Sequence, residues 1–148
     1  MNKIMKLCVI FLLVVVTVNP AAASYSEEYI HPRASLYISG CTASLKCNAL
    51  GTLTISGYIE SEDYVQDIGV YTISIFESDD NNEYIHIATL SASNSPSFVG
   101  HNKTRHTFSI NYQGTPGKYY KASVKLQVTT YSSQTEARYI WVGPKQTI

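Results

Sequence analysis

Apolar and polar residues alternate with a period of two through most of the chain after residue 34. From Leu50 to Ile59, Leu53, Ile55, Gly57 and Ile59 fall on one side, and Thr52, Thr54, Ser56 and Tyr58 on the other. That is the period of a strand with one face in a core and one in water. Tyr64–Phe76 predicts a second strand, β-branched or aromatic from Val70 onward. The turn formers of Glu77–Glu83 separate it from another strand at Tyr84–Leu90, so these two predict a hairpin. Ser91–Lys103 reads as a polar loop, and Arg105–Tyr112 alternates again with Phe108 and Ile110 inward. Gly114-Thr115-Pro116-Gly117 is the strongest turn signal, and it feeds a long strand at Lys118–Tyr131. There Tyr120, Ala122, Val124, Leu126 and Val128 face one way, and Tyr119, Lys121, Ser123, Lys125, Gln127 and Thr129 the other. Leu36–Ser39 predicts a first strand and Ala137–Val142 a last. About seven strands without a helix predict an all-β, antiparallel two-sheet sandwich, immunoglobulin-like, over residues 35–142; a small barrel is the alternative.

The N-terminus follows a different pattern. Lys3 and Lys6 precede an apolar run from Leu7 to Val18, and Ala21-Ala22-Ala23 supplies the small residues of a cleavage site. Residues 1–23 therefore read as a cleavable signal helix, residues 24–34 as a flexible segment and residues 143–148 as a C-terminal tail. A run of about 12 apolar residues is too short to span a hydrocarbon core, which needs roughly 20. A secreted, extracellular chain with no membrane span is expected.

Charge narrows the partners. The chain carries 11 Lys+Arg and 11 Asp+Glu, and losing Lys3 and Lys6 leaves the remainder slightly acidic. Its lysines are scattered and not gathered into a stripe, so no nucleic acid is expected. Cysteine adds a second expectation. Cys8 leaves with the leader, and Cys41 and Cys47 remain as an even pair, which in an oxidising compartment predicts a disulfide closing a tight connection. Such a short loop contributes about 2 kcal/mol by the chain-entropy argument.

Catalytic motifs are missing: there is no Gly-x-Ser-x-Gly elbow and no His-Glu-x-x-His. His101 and His106 bracket a polar loop and read as solvated, and His86 reads as a cross-strand packing partner. Glu77–Glu83 crowds carboxylates into a hairpin tip, where Asp79, Asn81 and Glu83 are candidate calcium ligands, calcium being the one cofactor the sequence suggests. The tip lacks the glycine and the twelfth-position acid of an EF-hand, and a plain solvated turn is the simpler account. Tyrosine is the compositional outlier, with 12 residues, all beyond the leader, so some must stand at the surface. If Ile140 and Val142 point inward, Tyr139 and Trp141 stand outside as flat exposed rings. With Tyr119 and Lys121 from the outward side of the long strand they form a candidate ligand platform. Parity alone leaves this open, because Arg138 shares the side of Ile140 and Val142.

Tyr120-Lys121-Ala122-Ser123-Val124 resembles the sixth strand of immunoglobulin-like and fibronectin-like sandwiches. The resemblance implies that Tyr120 bonds back across a corner between strands, while Ala122 replaces the usual cysteine and removes the inter-sheet disulfide. Gly117-Lys118-Tyr119-Tyr120, with the order of strands from Ser35 to Val142, also resembles small secreted proteins of Gram-positive bacteria of uncharacterised function. The Cys pair and the acidic hairpin tip depart from that family, and the resemblance implies no catalytic residue. The chain is therefore expected to be a secreted non-catalytic binding module for an extracellular glycan or protein. A small hydrolase or metal-dependent enzyme with a loop-assembled site is the alternative.

Overall fold

The computed structural model describes residues 35–147; the expected signal helix and the segment at residues 24–34 lie outside the described residues. Six antiparallel strands form one hydrogen-bonded sheet: β1 (Gly40–Cys47), β2 (Thr52–Ser78), β3 (Ile85–Ser91), β4 (Val99–Gln113), β5 (Tyr119–Thr129) and β6 (Thr135–Gln146). β2 organises all of it. One of its edges pairs first with β1 and then with β5; the other pairs first with β4 and then with β3. β6 adds to the free edge of β5, and the sheet curls into a half-barrel that brings β6 close to β1.

The curl follows from two irregularities in β2. Its register against β4 slips between Glu60 and Val65, and against β5 between Val70 and Thr72, and such bulges bend and twist a strand. At the first, the hydroxyl of buried Ser61 donates to the carbonyl of Asp63 at 2.7 Å, satisfying a backbone group that the ladder leaves free. The bends turn the apolar sides of both halves of β2 into one core. Leu53, Ile55 and Ile59 from one half and Ile68, Ile73 and Ile75 from the other join Tyr120, Val124, Leu126 and Val128 of β5, all essentially fully buried.

Several expectations are corrected. The two strands expected at Leu50–Ile59 and Tyr64–Phe76 are one, because Ser61–Tyr64 is a bend and not a break; this is why the described residues form six strands and not about seven, hydrogen-bonded as one curled sheet. Leu36–Ser39 is outside any strand, and the first strand begins at Gly40. The loop expected at Ser91–Lys103 holds two 3-10 turns, Ala92–Asn94 and Pro96–Phe98, but β4 starts already at Val99. Residues 143–146, expected in a tail, continue β6; Pro144 sits in the register shift opposite Tyr120 and Ala122, where no ladder donor is required. Buried Thr147 then donates its N–H to the Lys118 carbonyl at 3.0 Å.

The disulfide is also corrected. Cys41, Ala43, Leu45 and Cys47 alternate with Thr42, Ser44 and Lys46, so the two thiols are the end positions on the inward side of β1 and lie opposite Ile59 and Leu53. Six residues of strand separate their Cα atoms by about 20 Å, whereas a disulfide needs roughly 4.4–6.8 Å. Both cysteines are free, half-buried thiols. Burial pushes both thiols up, Cys41 against the opposing pull of Arg138 and Cys47 against that of Lys145.

Candidate functional site

The outward side of the sheet formed by β3, the second half of β2, β5 and β6 carries most of the chemistry. Ile140 packs against the core and Val142 is buried, which places Tyr139 and Trp141 outside, 61% and 60% exposed. Register then fixes their neighbours. Trp141 lies opposite Ser123, Tyr139 opposite Lys125, and Phe76 between Lys121 and His86. Phe76 and Trp141 belong to strands two steps apart, roughly 10 Å at the backbone, yet their ring centroids are 5.4 Å apart. The small Ser123 on the strand between lets the rings lean together. His86 completes the cluster edge-on to Phe76 at 5.3 Å, and its Nε2 lies 2.8 Å from the Thr89 hydroxyl.

Lysines are set among these rings. Lys121 Nζ lies 4.1 Å from the centroid of Tyr84 and 5.7 Å from that of Trp141, and Lys125 Nζ lies 5.9 Å from that of Tyr139. A cation within about 6 Å of a ring face is attracted to it, so the rings hold both ammonium groups in place. Burial, with the nearby charges of Tyr119 and Asp80, pushes the Tyr84 hydroxyl above its usual range. The structure therefore brings the sequence-derived Tyr119, Lys121, Tyr139 and Trp141 to one face. Phe76, Tyr84, His86 and Lys125 belong to it as well. Lys125 shares the outward parity of Lys121, and that signal was available; Phe76 and His86 meet only through the pairing of β2 with β3.

The acidic tip is organised around a residue outside the candidate trio. Asp80 Oδ1 accepts from the N–H of Asn82 at 3.0 Å and from the Ser78 hydroxyl at 3.1 Å. These bonds, with the Asn82 side chain, hold its carboxyl down at about 2. Asp79 forms an ion pair with Lys118, Asn81 is left-handed at φ 64° and receives the Tyr84 hydroxyl, and Glu77 receives the Tyr120 hydroxyl. Among the described residues, no group of three or more His, Cys, Asp or Glu is placed to hold a metal ion.

A second feature lies further along the same side of β2. Asp67, Tyr71, Ala92, Pro96, Val99 and His101 line an open groove of about 290 Å³. His101 Nδ1 is 2.6 Å from Asp67 Oδ1. Next to the groove, β4 begins close against β2 at Gly69, where a Cβ would stand 2.1 Å from the Phe98 carbonyl oxygen. His106, by contrast, contacts the Ser97 carbonyl oxygen through Nε2 at 3.2 Å; burial lowers its proton affinity, against that contact and with help from Lys103.

Fold and site together define an all-β protein that presents an aromatic and cationic sheet face. Comparison with known protein families and with curated proteins finds no match to this chain. No described helix is long and apolar enough to cross a membrane.

Proposed function

We propose that the protein is an exported, non-catalytic binding module that takes an extracellular glycan on the face formed by Phe76, Tyr139 and Trp141. The observation that carries this reading is the pair of flat rings more than half exposed at Tyr139 and Trp141, neighboured by the hydroxyls of Ser74 and Ser123. A sugar offers one apolar ring face and a rim of hydroxyls, and such a surface matches both. Export rests on the sequence of residues 1–23, with cleavage near Ser24. In the same reading the curled sheet is a variant of the immunoglobulin-like sandwich in which β2 serves both layers. The bond from the Thr115 N–H to the Tyr120 hydroxyl, 2.7 Å, supports that relation, because it closes a corner as the tyrosine of such domains does.

Affinity electrophoresis or calorimetry against a panel of cell-wall and mucin glycans tests the proposal. Trp141→Ala is expected to weaken binding tenfold or more, about 1.4 kcal/mol, and Tyr139→Ala to weaken it less. Glycan binding that ignores both substitutions, or capture of a protein with no glycan binding, overturns it. The Asp67–His101 pair in its groove favours a second reading, a small hydrolase. A hydrolytic activity lost in Asp67→Asn would establish that one instead.

A further inference from the structure

The charge of the aromatic face goes further than its shape. We propose that the glycan bound there is acidic, its negative groups received by Lys121 and Lys125; this rests on the reading of the face as a glycan platform. Three observations converge on it. First, the cations Arg105, Lys118 and Arg138 are neutralised by Glu60, Asp79 and Glu136, whereas the ammonium groups of Lys121 and Lys125 lie against aromatic rings. A ring face attracts a cation without cancelling its charge, so both groups keep a full charge for an incoming anion. Second, apart from Asp67, which is paired with His101 further along β2, the strand positions around the two lysines carry no carboxylate. On β2 they are Thr72, Ser74 and Phe76, and on β5 they are Tyr119, Lys121, Ser123, Lys125 and Gln127; on β6, Tyr139 and Trp141 follow. Third, each lysine is paired with its own stacking surface, Lys121 with Trp141 and Lys125 with Tyr139.

The spacing points to a chain with recurring charge. Lys121 and Lys125 are four residues apart on one side of a strand, about 13 Å. A sugar stacked on either ring thus has an ammonium group beside it for a substituent on its rim. A charge-assisted hydrogen bond from such a group is about twice as strong as a neutral one, and it is partly screened at physiological salt. Two cations are too few for a nucleic acid, whose binding grows with the number of phosphates neutralised.

Titration of the full chain with a uronic-acid homopolymer, its carboxyl-reduced neutral form, a sulfated glycan and a single-stranded oligonucleotide tests the inference. One or both acidic glycans are expected to bind at least tenfold more tightly than the neutral polymer. That preference should weaken as salt rises, and disappear in the double variant Lys121→Gln, Lys125→Gln. Circular dichroism of the variant should match the parent, since both side chains lie outside the core. Equal affinity for the charged and neutral polymers, with Trp141→Ala still abolishing binding, overturns the acidic preference and leaves the glycan platform standing. Absence of any Trp141-dependent glycan binding overturns both, as does preference for the oligonucleotide.

Discussion

Tyr120 is fully withdrawn from water, and a buried phenol is tolerable only when its hydroxyl is satisfied. Here the hydroxyl accepts from the Thr115 N–H at 2.7 Å and donates to the Glu77 carboxylate. Burial, with the bond to Glu77, raises its proton affinity and keeps it a donor. Gly114 makes room, since a Cβ there would lie 2.7 Å from the ring. Tyr120→Phe is expected to cost about 1–3 kcal/mol, because it leaves the Thr115 N–H and Glu77 without this partner. A lower urea midpoint at unchanged slope would show it; an unchanged midpoint would mean that water replaces the hydroxyl. The inward place of Tyr120 was legible from the alternation of Lys118–Tyr131, and its backbone bond was implied by resemblance. Glu77 was not legible as its partner, since 43 residues separate the two in the chain and only the pairing of β2 with β5 brings them together.

Alternation located the middles of elements well and their ends poorly. Ser61-Glu62-Asp63-Tyr64 interrupts the apolar period and reads as a break, yet a bulge keeps β2 going with a changed register. The Cys41–Cys47 stretch alternates as a strand does, but an even pair of cysteines also reads as a disulfide, and one extended strand cannot satisfy both. For the candidate site, the same limit decided whether Tyr139 or Ile140 faced outward, because a strand's parity cannot be assigned until its partner is known. One contact shows how an unpaired segment is tied to an element: Glu136, at the start of β6, accepts from the Ser35 hydroxyl at 2.7 Å and the Tyr37 N–H at 2.9 Å. Burial would raise its proton affinity, but these bonds and Arg138 outweigh that and lower it below the usual 4.5. A carboxylate depressed on folding contributes stability that is complete above its unfolded value and lost as pH falls through the folded one. Thermal midpoints should therefore decline as pH drops below 4.5, and Glu136→Gln should be less stable than the parent at neutral pH and flatten that decline. A variant with the parent's acid profile would show that the segment is not held this way. Asp80 acts with the same sign, its contribution being lost as pH falls from 3.8 to about 2.

For the molecule as a whole, β2 makes the two halves of the sheet interdependent. Ile55 lies in the part flanked by β1 and β4, and Ile73 in the part flanked by β3 and β5, and both are fully buried in one core. Ile55→Ala and Ile73→Ala should each cost about 2–5 kcal/mol and each shift a single cooperative transition. Two separable transitions by calorimetry or by different optical probes would mean that the halves fold independently.

The anchoring of the strand next to the open face has a mechanical corollary. Ser35 is tied to Glu136 at one end of β6, and Thr147 is pinned beside Lys118 at the other, a distance of about 35 Å along the strand axis. Tension applied between residues 35 and 147 would run parallel to the rungs' supporting rails and load the β5–β6 bonds together, in shear, where pulling across the strands would unzip them singly. A domain fastened at those two points would yield slowly under drag, with its resistance set by the rate of forced opening and not by its equilibrium stability.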